Sequence, residues 1–154
     1  MKQTILIQEK TFEKARNEIR KSKGKTIIFS SNDDELNRKI LEKEKINILL
    51  LSELGRKDFQ KQRNSGLNHV VAKIAKKNEV IIGINLDEII NSKGKKKSDI
   101  LARVRQNIKI CNKNKLKMNF LAFNEKNKRN IHDIKAFGLV LGMPTWMTSL
   151  LDRE

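Results

Sequence analysis

Four cationic side chains lie close together in one short stretch of the sequence. The stretch follows an apolar run that ends at Leu51, and its cations are Arg56, Lys57, Lys61 and Arg63. Guanidinium and ammonium groups are the side chains that most often bind phosphate oxygens. A helix that begins after such a loop adds free backbone N–H donors. The stretch therefore predicts a binding site for a phosphate-rich ligand; the alternative is an exposed loop whose charges are only solvated.

Two other segments add cations to this prediction. A helical pattern that begins at about Ser65 carries His69 and Lys73, which are one turn apart and share a face. A later lysine-rich stretch, residues 93–97, contains a glycine and suits non-specific phosphate contact as a flexible loop, or else is a disordered surface turn. His69 could equally pack or cap. The predicted phosphate contacts are Arg56, Lys57, Lys61, Arg63, His69, Lys73, Lys95, Lys96 and Arg103.

The charge balance supports a polyanionic partner. The 154 residues contain 34 Lys and Arg against 18 Asp and Glu, which gives a formal net charge of +16. Such an excess attracts nucleic acid first and an anionic membrane surface second. Compositional drift in an AT-rich genome explains why Lys outnumbers Arg, but it explains the shortage of acids poorly. Aromatic residues make up only 5% of the chain, which argues against recognition of single-stranded RNA by base stacking.

The sequence offers little for catalysis or metal binding. The two histidines, His69 and His132, are far apart, and neither a phosphate-binding glycine loop nor a dinucleotide motif is present. Asp87 and Glu88 follow an apolar run, where acids more often cap the next helix. Cys111 is the only cysteine, which excludes an internal disulfide. We expect no catalytic residue, no metal and no cofactor in the protein, and a cytoplasmic location, since neither a signal peptide nor a membrane span is evident.

An alternating pattern of strands and helices must position these residues. Short apolar runs cover residues 4–7, 26–30, 46–51, 80–86 and 118–123, and helical patterns cover about 11–23, 33–45, 65–77, 98–111, 131–141 and 144–151. Runs without polar alternation are typical of strands buried on both faces, as in parallel sheets. The pattern predicts one α/β domain over residues 1–154. About five βα units cannot close an eight-stranded barrel, so we expect an incomplete TIM-like barrel with a mainly parallel sheet.

Several segments resemble, in order, the archaeal ribonuclease P protein component 3 family. They are Arg56-Lys57-Asp58, residues 65–78 (SGLNHVVAKIAKKN), 80–86 (VIIGINL), 100–107 (ILARVRQN) and 133–143 (DIKAFGLVLGM). Residues 59–64 separate the first two segments, which typical members run almost together. The resemblance implies a short, N-terminally reduced member. A missed upstream start or a genuine shortening would account for that.

The resemblance implies an incomplete TIM-like barrel and a role in ribonuclease P, the ribonucleoprotein that removes the 5′ leader of precursor tRNA. In that family the catalytic RNA and its magnesium ions perform the chemistry, and the protein binds and supports the RNA. The implied partners are the catalytic RNA, protein component 2, other small subunits and, indirectly, precursor tRNA. Two alternatives remain at this point: a generic RNA-binding module, and a metal-dependent phosphoesterase with a TIM-like fold.

Overall fold

A computed structural model describes residues 2–151, and five parallel strands form its central sheet. The strands are β1 (Thr4–Gln8), β2 (Thr26–Ser30), β3 (Ile48–Leu51), β4 (Ile81–Asn85) and β5 (Met118–Leu121). Each strand pairs in parallel with the next one in the chain, in the order β1-β2-β3-β4-β5. Parallel strands in sequential order are the arrangement of a TIM barrel that has not closed. The predicted α/β fold is confirmed.

Helices connect the strands, so the loops lie at the two opposite ends of the sheet. They are α1 (Phe12–Lys21), α2 (Asp34–Lys43), α3 (His69–Lys77), α4 (Leu86–Asn91), α5 (Gly94–Lys113), α6 (Ile131–Leu141) and α7 (Thr145–Thr148), with a 3-10 turn at Glu125–Asn127. Parallel strands require crossover helices that run back along the sheet. We call the segments that follow strands the upper rim (residues 9–11, 31–33, 52–68 and 122–130). The turns that precede strands are the lower rim (residues 22–25, 44–47, 78–80 and 114–117).

Apolar side chains fill both faces of the sheet. The main core lies between the sheet and the helices and includes Phe29 and Leu49, which are fully buried. A smaller cluster on the other face contains Ile48 and Leu50. Gly83 in β4 lies beneath this cluster, and a Cβ atom there would come within 3.1 Å of the Ile48 Cγ2 atom and of Leu121 on β5. Side chains from the neighbouring strands β3 and β5 therefore cover this glycine from both sides.

The structure corrects two predicted helix starts. The predicted helix over residues 65–77 begins only at His69, with Asn68 as its cap. Ser98 is not the cap of the next helix, because α5 already begins at Gly94, so the predicted flexible lysine loop is the first turn of a helix. Apolar periodicity begins at Ile100 and gave no signal for these lysines, although lysine itself is a good helix former. Helix α4 was also not predicted, because its Leu86 continues the apolar run of β4.

Candidate nucleic-acid interface

The loop that carries the Arg-Lys-Asp motif, residues 52–68, is packed along α5. Helix α3 has only nine residues, so the loop covers the part of α5 that a longer helix would cover. The Gln106 side chain donates a hydrogen bond to the carbonyl oxygen of Arg63 at 2.8 Å and accepts one from its N–H at 3.2 Å. Asn107 donates to the Glu53 carboxylate at 2.9 Å. Polar residues on one face of α5 therefore give this loop a defined conformation.

Arg103 is the central residue of this packing. Its side chain is buried, at 5% exposure, and donates to the carbonyl oxygens of Glu53 (2.9 Å) and Arg56 (2.7 Å) and to the Asp58 carboxylate (3.0 Å). Its prediction as a phosphate contact must be corrected, because the guanidinium group is enclosed by the loop. The neighbouring Arg105 is exposed instead. Arg103 therefore holds the loop of residues 52–68 in place against α5.

Arg56 has a similar structural task on the other side of the loop. Its guanidinium group makes two parallel hydrogen bonds of 2.9 Å to the Asp34 carboxylate in the first turn of α2, and its Nε–H donates to the Ser52 carbonyl oxygen. Burial lowers the pKa of Arg56, but the hydrogen bonds to Asp34 and the nearby Glu53 more than offset this and raise it overall. Most of the hydrogen-bonding capacity of the Arg56 guanidinium group is thus used within the protein, because this bidentate pair connects the loop to α2. Little of it is left for the predicted phosphate contact.

A buried acid lies where the loop leaves β3. Glu53 is 3% exposed, and burial raises its pKa to about 8 even though the Arg56 guanidinium group lies 3.5 Å from its carboxylate. The carboxylate of Glu88 accepts hydrogen bonds from the Ser52 hydroxyl and from the Glu53 N–H. Glu88 therefore connects the end of β4 to the loop. Asn85 caps α4, and Asp87 and Glu88 lie in the first turn of this helix.

Within residues 2–151, the structure shows no group of three or more His, Cys, Asp and Glu side chains that could hold a metal ion. Asp87 accepts hydrogen bonds from the Phe123 N–H at 2.8 Å and from the Asn127 amide at 2.8 Å, so it connects the ends of β4 and β5. In the same part of the chain, residues 2–151, no helix is long and apolar enough to cross a bilayer.

The cations that remain exposed form one surface beside the loop. Lys57 and Lys61 are exposed, and Arg63 is 41% exposed while it pairs with Asp58 and Asp99. Asp99 lies in α5 and also approaches the ammonium group of Lys95 at 3.8 Å, which brings the loop and the start of α5 together. We call this set the upper basic surface: Lys57, Lys61, Arg63, Lys95 and Lys96.

His69 and Lys73 do not join the upper basic surface. His69 begins α3 and its Nδ1 lies 3.0 Å from the amide nitrogen of Asn114, at the far end of α5. With a rise of 1.5 Å per residue, Asn114 is roughly 28 Å along the helix from Lys95. The side chains of His69 and Lys73 are both exposed. The structure therefore divides the predicted phosphate contacts into an upper group, a separate α3 pair, and two internal arginines.

Comparison with known proteins identifies proteins that are similar to this chain in sequence and in structure. The chain is 26% identical over 153 residues to ribonuclease P protein component 3 of Methanocaldococcus jannaschii, which covers 96% of this chain and 63% of the relative. A cryo-EM structure of archaeal ribonuclease P with mature tRNA contains a chain that matches with a TM-score of 0.80 and 26% identity, over 96% of this chain and 63% of that one. This chain is similar to archaeal ribonuclease P protein component 3 over almost its whole length.

Other component 3 relatives match shorter stretches. The protein of Methanococcus maripaludis is 30% identical over 105 residues, and that of Methanosarcina mazei is 32% identical over 87 residues. These alignments cover 68% and 56% of this chain and 40% and 34% of the relatives. No family model matches the chain. The predicted resemblance is confirmed, and the chain spans less than two thirds of the length of these relatives.

Several residues in the segments that resemble component 3 have structural roles. Asp58 is the acceptor for Arg103, and Arg56 is the donor to Asp34. In the C-terminal segment, Gly138 faces Met143, whose sulfur would lie 2.8 Å from an added Cβ. Gly142 ends α6 with a φ of 104°, a conformation that glycine adopts without strain. These residues therefore act in the fold and in the anchoring of the loop, whereas the exposed Lys61, Lys95 and Lys96 lie outside the segments that resemble component 3.

Proposed function

We propose that this chain is a protein subunit of ribonuclease P that binds and supports the catalytic RNA. The observation that carries the proposal is the upper basic surface in a chain similar to component 3. Three of its cations lie in a loop that α2 and α5 hold in place through Arg56 and Arg103, and the other two, Lys95 and Lys96, lie in the first turn of α5. A preorganised cationic surface favours phosphate binding, since less side-chain and loop ordering is needed on association.

In this proposal the protein neutralises phosphates and leaves the chemistry to the RNA and its magnesium ions. Lys57, Lys61, Lys95 and Lys96 contact the RNA backbone, and Arg63 contributes the exposed part of its guanidinium group. Each phosphate neutralised contributes roughly 0.7 to 0.9 to the slope of log affinity against log salt. The isolated protein is expected to be non-catalytic, and the holoenzyme is expected to remove the 5′ leader of precursor tRNA.

The proposal also includes protein partners. Protein component 2 and the other small subunits would join this chain on the RNA in the cytoplasm, and precursor tRNA would be bound through the assembly. The support is the structural likeness to a chain within archaeal ribonuclease P with tRNA. Co-purification from cells that carry a tagged chain tests the partners, with ribonuclease P RNA and component 2 as the expected enrichment. Enrichment of ribosomal RNA instead would favour a generic RNA-binding module.

Reconstitution at limiting magnesium tests the function directly. We expect addition of the protein to raise cleavage of precursor tRNA by the RNA and its other subunits. A variant with Lys57→Gln and Lys96→Gln should lose part of this effect. The control, Lys14→Gln with Lys39→Gln, removes the same charge from α1 and α2 and should behave as the unchanged protein. Cleavage that is the same with and without the protein would refute the proposal, and metal-dependent turnover by the protein alone would favour a phosphoesterase.

A further inference from the structure

The lower rim collects cations because the longer helices that precede strands end there. The last turns of these helices contain Arg20 and Lys21 in α1, Lys43 in α2, Lys76 and Lys77 in α3, and Lys113 in α5. The C-terminus of a helix is the negative end of its dipole and favours cations, whereas acids are favoured in first turns. In this fold that preference places acids such as Glu13 and Asp34 towards the upper rim and lysines at the lower one.

The turns beyond these helices add lysines that the helix dipole does not explain. Lys23 and Lys25 precede β2, Lys45 precedes β3, and Lys115 and Lys117 precede β5. The dipole effect is confined to the last turn of a helix. Within the described residues, none of these five lysines forms an ion pair.

Acids near the lower rim neutralise little of this charge. The carboxylate of Glu44 is largely buried and pairs with Arg16 at 3.3 Å and Arg20 at 3.5 Å. Glu42 pairs with Arg38 at 3.0 Å, which leaves Glu79 as the exposed acid in the turns themselves. Glu18 pairs with Lys21 at 3.4 Å. The lower rim is therefore a positive surface on which Lys23, Lys45, Lys77 and Lys117 are exposed.

Three of the turns share one backbone shape. Gly24, Glu79 and Lys115 each follow a helix and adopt a positive φ, of 92°, 57° and 55°. Lys115 holds a conformation that glycine adopts without strain, and strained residues tend to occur at functional sites. Its carbonyl oxygen accepts a hydrogen bond of 2.9 Å from the Lys76 ammonium group, and its own ammonium lies 5.6 Å from the centre of the Trp146 ring. This turn is thus held in place beside the exposed Lys117.

An open cleft joins the turns before β2, β3 and β4. It has a volume of about 840 Å³. Its cationic lining residues are Arg20, Lys23, Lys25, Lys43, Lys45 and Lys77. Neighbouring strands are about 4.8 Å apart, so lysines in the turns from β2 to β5 extend over roughly 14 Å of sheet. This width lets the rim contact more than one phosphate at once.

We infer that the lower rim is a second phosphate-binding surface, which contacts the backbone of structured RNA without reading its bases. The inference rests on the proposed function, since it takes the RNA of the same complex as the ligand. It gives the protein two faces for RNA, at opposite ends of the sheet, so the chain bridges two RNA segments.

Two matched variants test the inference. The lower variant changes Lys23, Lys45, Lys77 and Lys117 to Gln, and the upper variant changes Lys57, Lys61, Lys95 and Lys96 to Gln. Each removes four exposed ammonium groups, so their net charges are equal. Binding of a ribonuclease P RNA transcript is measured across salt concentrations. We expect each variant to lower the salt slope by about 3, and the combined variant to lower it by the sum.

The outcomes separate this inference from the proposed function. A slope that falls only in the upper variant overturns the second surface and leaves the RNA-binding role in place. Failure of the unchanged protein to bind the transcript overturns both. Binding of phosphatidylserine vesicles that depends on the lower lysines, with no loss of RNA binding in the lower variant, overturns the inference in favour of a membrane.

A second measurement does not require folded variants. Lysines of the unchanged protein are acetylated with and without the RNA transcript, and mass spectrometry gives the protection at each. Protection of Lys23, Lys45, Lys77 and Lys117 supports the lower surface. Full reactivity of these four in the presence of RNA, while Lys57 or Lys96 is protected, overturns it.

Discussion

Replacement of Arg103 by alanine should destabilise the protein more than any other single loss of positive charge in α5. The change leaves two buried carbonyl oxygens and the Asp58 carboxylate without their donor. An enclosed hydrogen-bond acceptor that loses its partner costs roughly 1–3 kcal/mol. Asp58 is exposed and keeps Arg63 and the Asn64 N–H as partners, so the two carbonyl oxygens account for most of the expected cost of about 3 kcal/mol. That is a large part of the roughly 5–15 kcal/mol that stabilises a natural domain.

Urea unfolding measures this effect. With a slope of roughly 2 kcal/mol per molar, the midpoint should fall by about 1.5 M. Arg105→Ala is the matched control, since it removes the same charge two residues away from an exposed position, and its effect should stay within about 0.5 kcal/mol. Limited proteolysis should also cut residues 52–68 faster in Arg103→Ala. Equal midpoints and equal cleavage for the two variants would refute the anchoring role of Arg103.

Three further changes test other parts of the structure. Glu53→Gln should remove a pH dependence of the stability. The pKa of Glu53 in the folded protein, about 8, lies above the ordinary 4.5, so the stabilisation by protonated Glu53 is complete below pH 4.5 and is lost as the pH rises through 8. Urea midpoints from about pH 5 to 9 that fall equally in both proteins would contradict this. Gly83→Ala should cost about 1–3 kcal/mol, because its methyl group meets Ile48 and Leu121, and an unchanged melting temperature would disprove the close packing. Lys115→Gly should raise stability by about 1 kcal/mol through relief of the positive φ while it weakens RNA binding; lower stability would show that the Trp146 contact outweighs the strain.

The sequence predicted the order and type of the strands because their burial is uniform. Runs such as residues 46–51 contain no polar residue at alternate positions beyond Asn47, so a parallel sheet with both faces covered was the natural interpretation. The observed β3 is shorter, Ile48–Leu51, and the Asn47 side chain accepts a hydrogen bond from the Ile27 N–H just before the strand. Periodicity locates the buried part of an element and says less about its ends.

The division of the arginines was not predicted, because hydrophobic patterning treats every charged residue as exposed. Arg103 is three residues from Ile100 and four from Asn107, both buried, so it falls on the inner face of α5. That spacing was a usable signal for burial. Its acceptors come from residues 53–58, which lie 45 to 50 residues earlier in the chain, and Asp34, the partner of Arg56, lies 22 residues before that arginine. Only the fold brings these acids to the arginines.

The two rims differ in how far their cations are already satisfied. At the upper rim, where α/β proteins usually bind ligands, Arg56 pairs with Asp34, and Arg63 and Lys95 share Asp99. A catalytic rim benefits from acids and bases held together, since paired groups tune one another for proton transfer. A protein that only neutralises phosphates benefits from unpaired lysines, because each ammonium is free to replace a counterion. Helix dipoles gather such lysines at the lower rim, and the turns add Lys45 and Lys117 to them. Together with the exposed lysines of the upper basic surface, this distribution supports the proposed second phosphate-binding surface at the end of the barrel opposite to the usual active-site face.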